Sequence, residues 1–290
     1  MHIRSGITLT ETVAMALVVV VVVTLAVVLS GPGCEREMGG HGYICMSSLN
    51  SISKAIIIYK GENDGEWPWL YDTITEWDKT AVGTNRDVSP FGEKDDPNNP
   101  KHRSVTSLMF MLVRMNQSPG MFRCPSDRNS EVDLETKADA NDGDILEGEY
   151  YWDFSTPQNV SYSYQAPRYV NSTTYANGVN KNETEVVVLA DMTPAATNPG
   201  WKPADVTELH GAALETQVSP NHNGKEVNVL RVGGDVQSHK RPDVGVDKDN
   251  IYTASGAPSA GSRSATSLDI RKHLSARDTF LIGPVAGKAK

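Results

Sequence analysis

The sequence predicts an α+β protein that begins with an N-terminal transmembrane helix. Three observations predict it: an uncharged apolar run near the start, one amphipathic helical stripe after it, and short β-rich runs separated by turn residues in the second half. The expected architecture is a membrane helix, then an amphipathic helix packed on an antiparallel sheet within a loop-rich head.

The membrane element comes first. Residues 12–34 carry no charged side chain, and Val13 to Leu29 are almost wholly Val, Leu, Ala and Met. About 20 apolar residues suffice for a helix to cross a bilayer core. Valine is a modest helix former in water, but an unpaired peptide group in hydrocarbon is far costlier than that preference. Arg4 precedes the run and favours a single pass with the N-terminus inside the cytoplasmic membrane. Gly31-Pro32-Gly33 interrupts the helix, because proline lacks a donor and glycine loosens the backbone. Glu11 stands at the edge of the run, where a carboxylate costs about 2–3 kcal/mol on insertion scales. Such a residue either carries function or snorkels to the interface as a flanking charge.

The second element is an amphipathic helix starting near Ile44. Cys45, Leu49, Ile52, Ile56 and Tyr59 repeat at spacings of four and three, while Ser47, Ser48, Asn50 and Lys54 lie off the stripe. It stops by Gly61, and Asn63-Asp64-Gly65 makes the turn. Beyond Pro68 the chain is loop-rich, with an exposed insert at 94–100 and a short helix from Ser104 to Met115 that buries Leu108, Met111 and Leu112. Strands follow at Ser161–Tyr164, which alternates, and at Glu185–Leu189, which is of the buried type. Asn228–Val232 and Val236–Ser238 flank Gly233-Gly234-Asp235 as a tight hairpin.

Charge and cysteine usage narrow the function. A net charge of −9, a pI near 5.3 and the absence of a basic stripe argue against nucleic acid as a partner. The acidic stretch 127–149 supplies most of that charge. Asp142, Gly143 and Glu149 match half of a calcium loop, but Ala138 and Ala140 occupy the first and third ligand positions, so a solvated acidic loop is the reading preferred. Asp247 and Asp249 in the segment 243–250 offer a second, weak calcium alternative to a plain Asp/Asn turn. No cofactor is otherwise implied. With three cysteines, Cys34, Cys45 and Cys124, an oxidising compartment allows one bridge and one spare thiol, with Cys45–Cys124 the preferred pair and three free thiols the alternative.

Nothing in the sequence has the spacing of catalysis. His222 and His239 flank the hairpin, and Asp191 and Asp235 are acids that could lie near them, but there is no His-x-x-x-His pair and no Gly-x-Ser-x-Gly or phosphate loop. A lone histidine beside a turn is more often a hydrogen-bonding residue than a ligand, and the chain is expected not to be an enzyme. Sequons stand at Asn159, Asn171 and Asn182.

The order Met1–Gly6, then Ile7-Thr8-Leu9-Thr10-Glu11, then the apolar run resembles the signature of type IV prepilins and type II secretion pseudopilins, with Ile7 where Phe is usual. Further segments resemble a group of prepilin-like proteins with a large head of unknown activity and a His-x9-Asp-Gly motif near the end. Cys45 to Ile52 is similar to that group's Cys-x-x-Asn-Leu-Lys-Gln-Ile helix, and Gly65-Glu66-Trp67-Pro68 to its Gly-x-Phe-Pro. Phe122-Arg123-Cys124-Pro125-Ser126-Asp127 resembles its Phe-x-Cys-Pro-Ser-Asp. Leu189-Ala190-Asp191 and His222 followed by Asn228-Val229-Leu230 fall in the expected order, although ten residues separate His222 from Gly233 and Gly233-Gly234 replaces Asp-Gly.

The resemblance implies a leader at 1–6, a methylation motif and transmembrane helix at 7–33, and a pilin-like head at 34–290. A prepilin peptidase would cut between Gly6 and Ile7 and methylate the new amine, and Glu11 would meet the amine of a neighbouring subunit. The implied function is a structural subunit anchored in the cytoplasmic membrane, its head in the periplasm or at the cell surface, able to join other pilin-like subunits in a pilus or pseudopilus. A membrane-tethered binding protein that never polymerises is the rival. A lipoprotein or secreted domain cleaved near Cys34 is the third reading, with Gly31-Pro32-Gly33 a poor match to a lipoprotein signal.

Overall fold

The computed structural model describes residues 36–65, 67–68, 105–131, 151–165, 169–170, 174–175, 184–198, 200–204, 206, 208–253 and 281–284. The chain divides into two units, 1–40 and 41–290, and residues 36–40 are the described part of the first. The leader, the apolar run, Glu11 and Cys34 lie outside the described residues. Among the described residues no helix is long and apolar enough to cross a membrane.

The long helix α1 (Arg36–Glu62) carries the predicted stripe. Cys45, Leu49, Ile52, Ile56 and Tyr59 are all buried, joined by Ala55 and Ser53. It begins at Arg36 rather than near Ile44. The added turns contain Gly39, Gly40 and Gly42 and no apolar stripe, so neither propensity nor periodicity marks them as helical. Gly42 has a packing reason: a Cβ there would stand 2.6 Å from the Glu226 Oε1. The C-terminus closes as expected. The Gly65 N–H donates to the Lys60 carbonyl at 2.8 Å, and Asn63 Nδ2 donates to the Tyr59 carbonyl at 2.8 Å. Asp64 and Gly65 take φ of 51° and 84°, the left-handed stop that glycine favours.

Helix α2 (Val105–Arg114) is buried all round from Thr106 to Val113, not on one face only. Its end is fixed by Arg114, which lies 3.5 Å over the Trp152 ring and donates to the Tyr151 carbonyl at 2.8 Å.

The sheet contains β1 (Tyr162–Gln165), β4 (Val187–Asp191), β5 (Val227–Arg231), β6 (Val236–His239) and the two-residue β7 (Leu281–Ile282) in the order β6-β5-β4-β1-β7. Every neighbouring pair is antiparallel. A separate hairpin joins β2 (Tyr169–Val170) to β3 (Thr174–Tyr175). Short helices α3 (Pro194–Thr197) and α4 (Gly211–Glu215) lie in the connection between β4 and β5. The β5–β6 hairpin is predicted correctly, and its chemistry is plain. Gly234 N–H donates to the Arg231 carbonyl at 2.9 Å with φ +86° at Gly234, and the Arg231 N–H returns to the Asp235 carbonyl at 2.9 Å. That is a turn followed by a glycine bulge, which only a residue tolerant of positive φ closes without strain.

The strand Ser161–Tyr164 does not alternate between core and solvent: all four residues of β1 are buried. The sheet is covered on both faces. Tyr162, Tyr164, Val188, Leu189 and Leu230 share a core with the α1 stripe and α2. Val187, Ala190, Val227 and Val229 pack on the other side against Trp201, Val218, Ile251 and Tyr252. A bulge between Val187 and Leu189 turns both Val188 and Leu189 toward the helices. Ser163 is tolerated inside because its Oγ accepts the Thr193 N–H at 2.9 Å.

Candidate functional site

Strand register builds the site. Tyr162 stands opposite Asp191 on β1 and β4, and Ala190 opposite Val229 places Asn228 beside Asp191 on β5. Above this row runs α1, whose Cys45 carbonyl lies 3.4 Å from the Tyr162 hydroxyl. Cys45 is bonded to Cys124, both sulfurs fully buried, which joins α1 to the loop after the short turn Pro119–Phe122. This is the pairing preferred from the sequence.

His222 enters from the short turn Pro220–His222 that precedes β5. Ser219 shapes the turn, its Oγ accepting the Asn221 N–H at 3.3 Å, and Asn221 Nδ2 donates to the Ser161 carbonyl at 2.7 Å. Asn223 and Gly224 follow with φ of 55° and 73°. The histidine is buried, with Nε2 3.1 Å from Asp191 Oδ2, 3.0 Å from Asn228 Nδ2 and 3.9 Å from Cys124 Sγ. Its other nitrogen, Nδ1, faces Glu226 Oε1 at 3.6 Å, one helical turn's spacing along the chain. Asp191 is wholly buried and accepts the Asn228 backbone N–H at 2.6 Å through the same Oδ2. The Tyr252 hydroxyl donates to the Asp191 carbonyl at 2.9 Å.

Burial lowers the His222 pKa, but the hydrogen bond and charge of Asp191, and then the charge of Glu226, outweigh it and raise the pKa above 6.5. Burial, reinforced by Asp191, likewise raises the Tyr162 and Tyr252 hydroxyls, so both remain neutral. A protonated ring donates from Nε2 to Asp191, whereas a neutral ring protonated on Nδ1 accepts the Asn228 amide N–H at Nε2. Asp191 Oδ1 and Asn228 Oδ1 are buried with no hydrogen-bond partner, so the pocket holds more acceptors than donors.

The arrangement is unlike a nucleophile–base–acid relay. There the carboxylate holds one ring nitrogen and the nucleophile meets the other, whereas here the carboxylate and the sulfur share Nε2. Cys45, Cys124 and His222 bring their ligand atoms within 4.8 Å of one another.

The sequence reading named Asp191 and His222 as neighbours of the hairpin, and the fold brings them together. His239 stands elsewhere, opposite Val227 on the edge strand β6, where burial and then Arg231 lower its pKa against the opposing charge of Asp235. Glu226 and Asn228 were not singled out as site residues. Their signal was available in the strand pattern, which turns Asn228 to the same face as Leu230. The segment around Asp247 and Asp249 is a tight turn, with the Gly245 N–H donating to the Asp249 carbonyl at 2.9 Å and φ of 59° at Asp247. Asp243 is paired with Arg241 at 2.9 Å. Gly6, Ile7, Glu11, Asp142 and Glu149 lie outside the described residues.

The chain matches no known family, no curated protein and no solved structure. Cys45, Cys124, Asp191 and His222 meet in one buried cluster.

Proposed function

We propose that this protein is a non-enzymatic, prepilin-like structural subunit, processed by a prepilin peptidase between Gly6 and Ile7 and held in the cytoplasmic membrane by residues 12–30. The observation that carries the reading is the order of parts: a six-residue leader ending in glycine, then Ile7 to Glu11, all before the apolar run. Cleavage there removes the leader but leaves the anchor in place. A buried Cys45–Cys124 bridge supports a head that matures outside the reducing cytoplasm. A single long helix with one apolar face against an antiparallel sheet supports a head that follows directly from such an anchor. Glu11 is the assembly residue in this reading, neutralised by the amine of a neighbouring subunit.

Mass spectrometry of the mature N-terminus in a prepilin-peptidase-positive host tests processing. The expected product begins at N-methylated Ile7, and a product beginning at Cys34 or later refutes the proposal. Glu11→Ala then tests assembly: normal cleavage with loss of fibre incorporation is expected. Wild-type behaviour of that variant in assembly assays shifts the reading to a membrane-tethered binding protein.

A further inference from the structure

We propose that the dithiol form of this head binds one zinc-type divalent cation, ligated by Cys45 Sγ, Cys124 Sγ and His222 Nε2, and that forming the disulfide expels it. The inference is independent of how the N-terminus is processed. Four-coordinate zinc has Zn–S bonds near 2.3 Å and Zn–N or Zn–O bonds near 2.0–2.1 Å, so a tetrahedron has edges of about 3.3 Å for N···O, about 3.5 Å for S···N and about 3.8 Å for S···S. The head already holds Cys124 Sγ···Nε2 at 3.9 Å, with the Cys45, Cys124 and His222 ligand atoms all within 4.8 Å of one another. The S···S edge opens on reduction, since two non-bonded sulfurs separate to about that distance. All three residues are buried.

The surroundings match a metal site as well as the ligands do. A histidine that ligates through Nε2 needs its proton on Nδ1, and a carboxylate facing Nδ1 fixes that tautomer and raises the basicity of the ring. Glu226 Oε1 stands there at 3.6 Å, and Ser238 Oγ donates to its other oxygen at 3.3 Å. The Asn228 N–H holds Asp191 Oδ2 at 2.6 Å, which keeps a buried carboxylate 3.1 Å from Nε2 as a compensating charge beside the ion. Asp191 Oδ1 is a further buried acceptor with no hydrogen-bond partner.

The redox step balances. A small-molecule disulfide accepts two electrons from the two metal-bound thiolates; the Cys45–Cys124 bond forms, the reagent's S–S bond breaks into two thiolates, and the divalent ion leaves.

The test uses the full chain in detergent in a Cys34→Ser background, so that the third thiol makes no contribution. The protein is reduced with a phosphine, desalted anaerobically and titrated with Co2+, in parallel with the oxidised protein. Expected are one Co2+ per reduced chain, a thiolate-to-cobalt charge-transfer band with intense tetrahedral visible bands, displacement by Zn2+, and discharge by oxidised glutathione. Glu226→Gln leaves every ligand in place and is expected to weaken Co2+ binding about 10–100-fold. His222→Ala is expected to abolish the tetrahedral spectrum. The proposal is overturned if the reduced chain shows no thiolate–cobalt band, if the oxidised chain binds equally well, or if His222→Ala leaves spectrum and affinity unchanged.

Discussion

Removing the Cys45–Cys124 bridge with the double substitution Cys45→Ala and Cys124→Ala isolates what the disulfide does for α1. The two residues are 79 apart in sequence, and both sulfurs are fully buried. The chain-entropy account gives about 4.5 kcal/mol for constraining a loop of that length in the unfolded state. At roughly 2–4 °C per kcal/mol for a domain of this size, the melting temperature should fall by roughly 10 °C or more. Unfolding is followed by tryptophan fluorescence, because Trp67 and Trp201 are buried and Trp152 stacks under Arg114. Hydrogen exchange adds spatial detail. Cys45 is the covalent tie between α1 and the body of the head, so amides near Cys45 and Leu49 should lose protection while those of β4 and β5 keep theirs. An unchanged melting temperature, or a uniform loss of protection across helix and sheet, refutes the view that the bridge holds the helix on the sheet.

Two further outcomes follow from the turn and charge around His222. Gly224→Ala puts a side chain at φ +73° with its Cβ 2.3 Å from the Glu215 carbonyl oxygen, so thermal unfolding should show a loss of at least about 1–3 kcal/mol from the backbone conformation alone. Gly65→Ala, at φ +84° with nothing within 4 Å, bears only the conformational cost and should be the milder of the two. In the oxidised protein, the raised His222 pKa means its stabilising contribution is complete below its unfolded pKa of about 6.5 and is lost as pH rises through the higher folded value. Ring titration by NMR should place His222 above and His239 below 6.5, the two moving in opposite directions. Thermal stability should fall as pH rises above that point, and His222→Gln should flatten the slope. A His222 midpoint below 6.5 contradicts the ion pair with Asp191.

Local patterns read from the sequence survive folding where the cause is local. The stripe from Cys45 to Tyr59 is buried as its spacing requires, and Asn63 to Gly65 end the helix through backbone geometry that only neighbouring residues set. The same holds for the Gly234 hairpin. Where the cause is distant, the pattern misleads. Helix α1 extends back to Arg36 through glycines that no propensity favours, and Gly42 fits because Glu226 approaches it closely. β1 reads as half-exposed, yet both its faces are covered, and Ser163 is accommodated by a backbone N–H from Thr193.

The sequence by itself determined an α+β head with one amphipathic helix and the preferred cysteine pair, and it marked Asp191 and His222 only as residues that could lie near the hairpin. Only the tertiary structure decided that these belong together, because Cys124 and His222 are 98 residues apart and Asp191 lies on a different strand from Asn228. Strand register sets Tyr162, Asp191 and Asn228 in one row, and α1 covers that row with Cys45. Periodicity along the chain reports which face a residue takes, whereas which distant residue it faces depends on pairing between strands, and that is a property of the folded sheet.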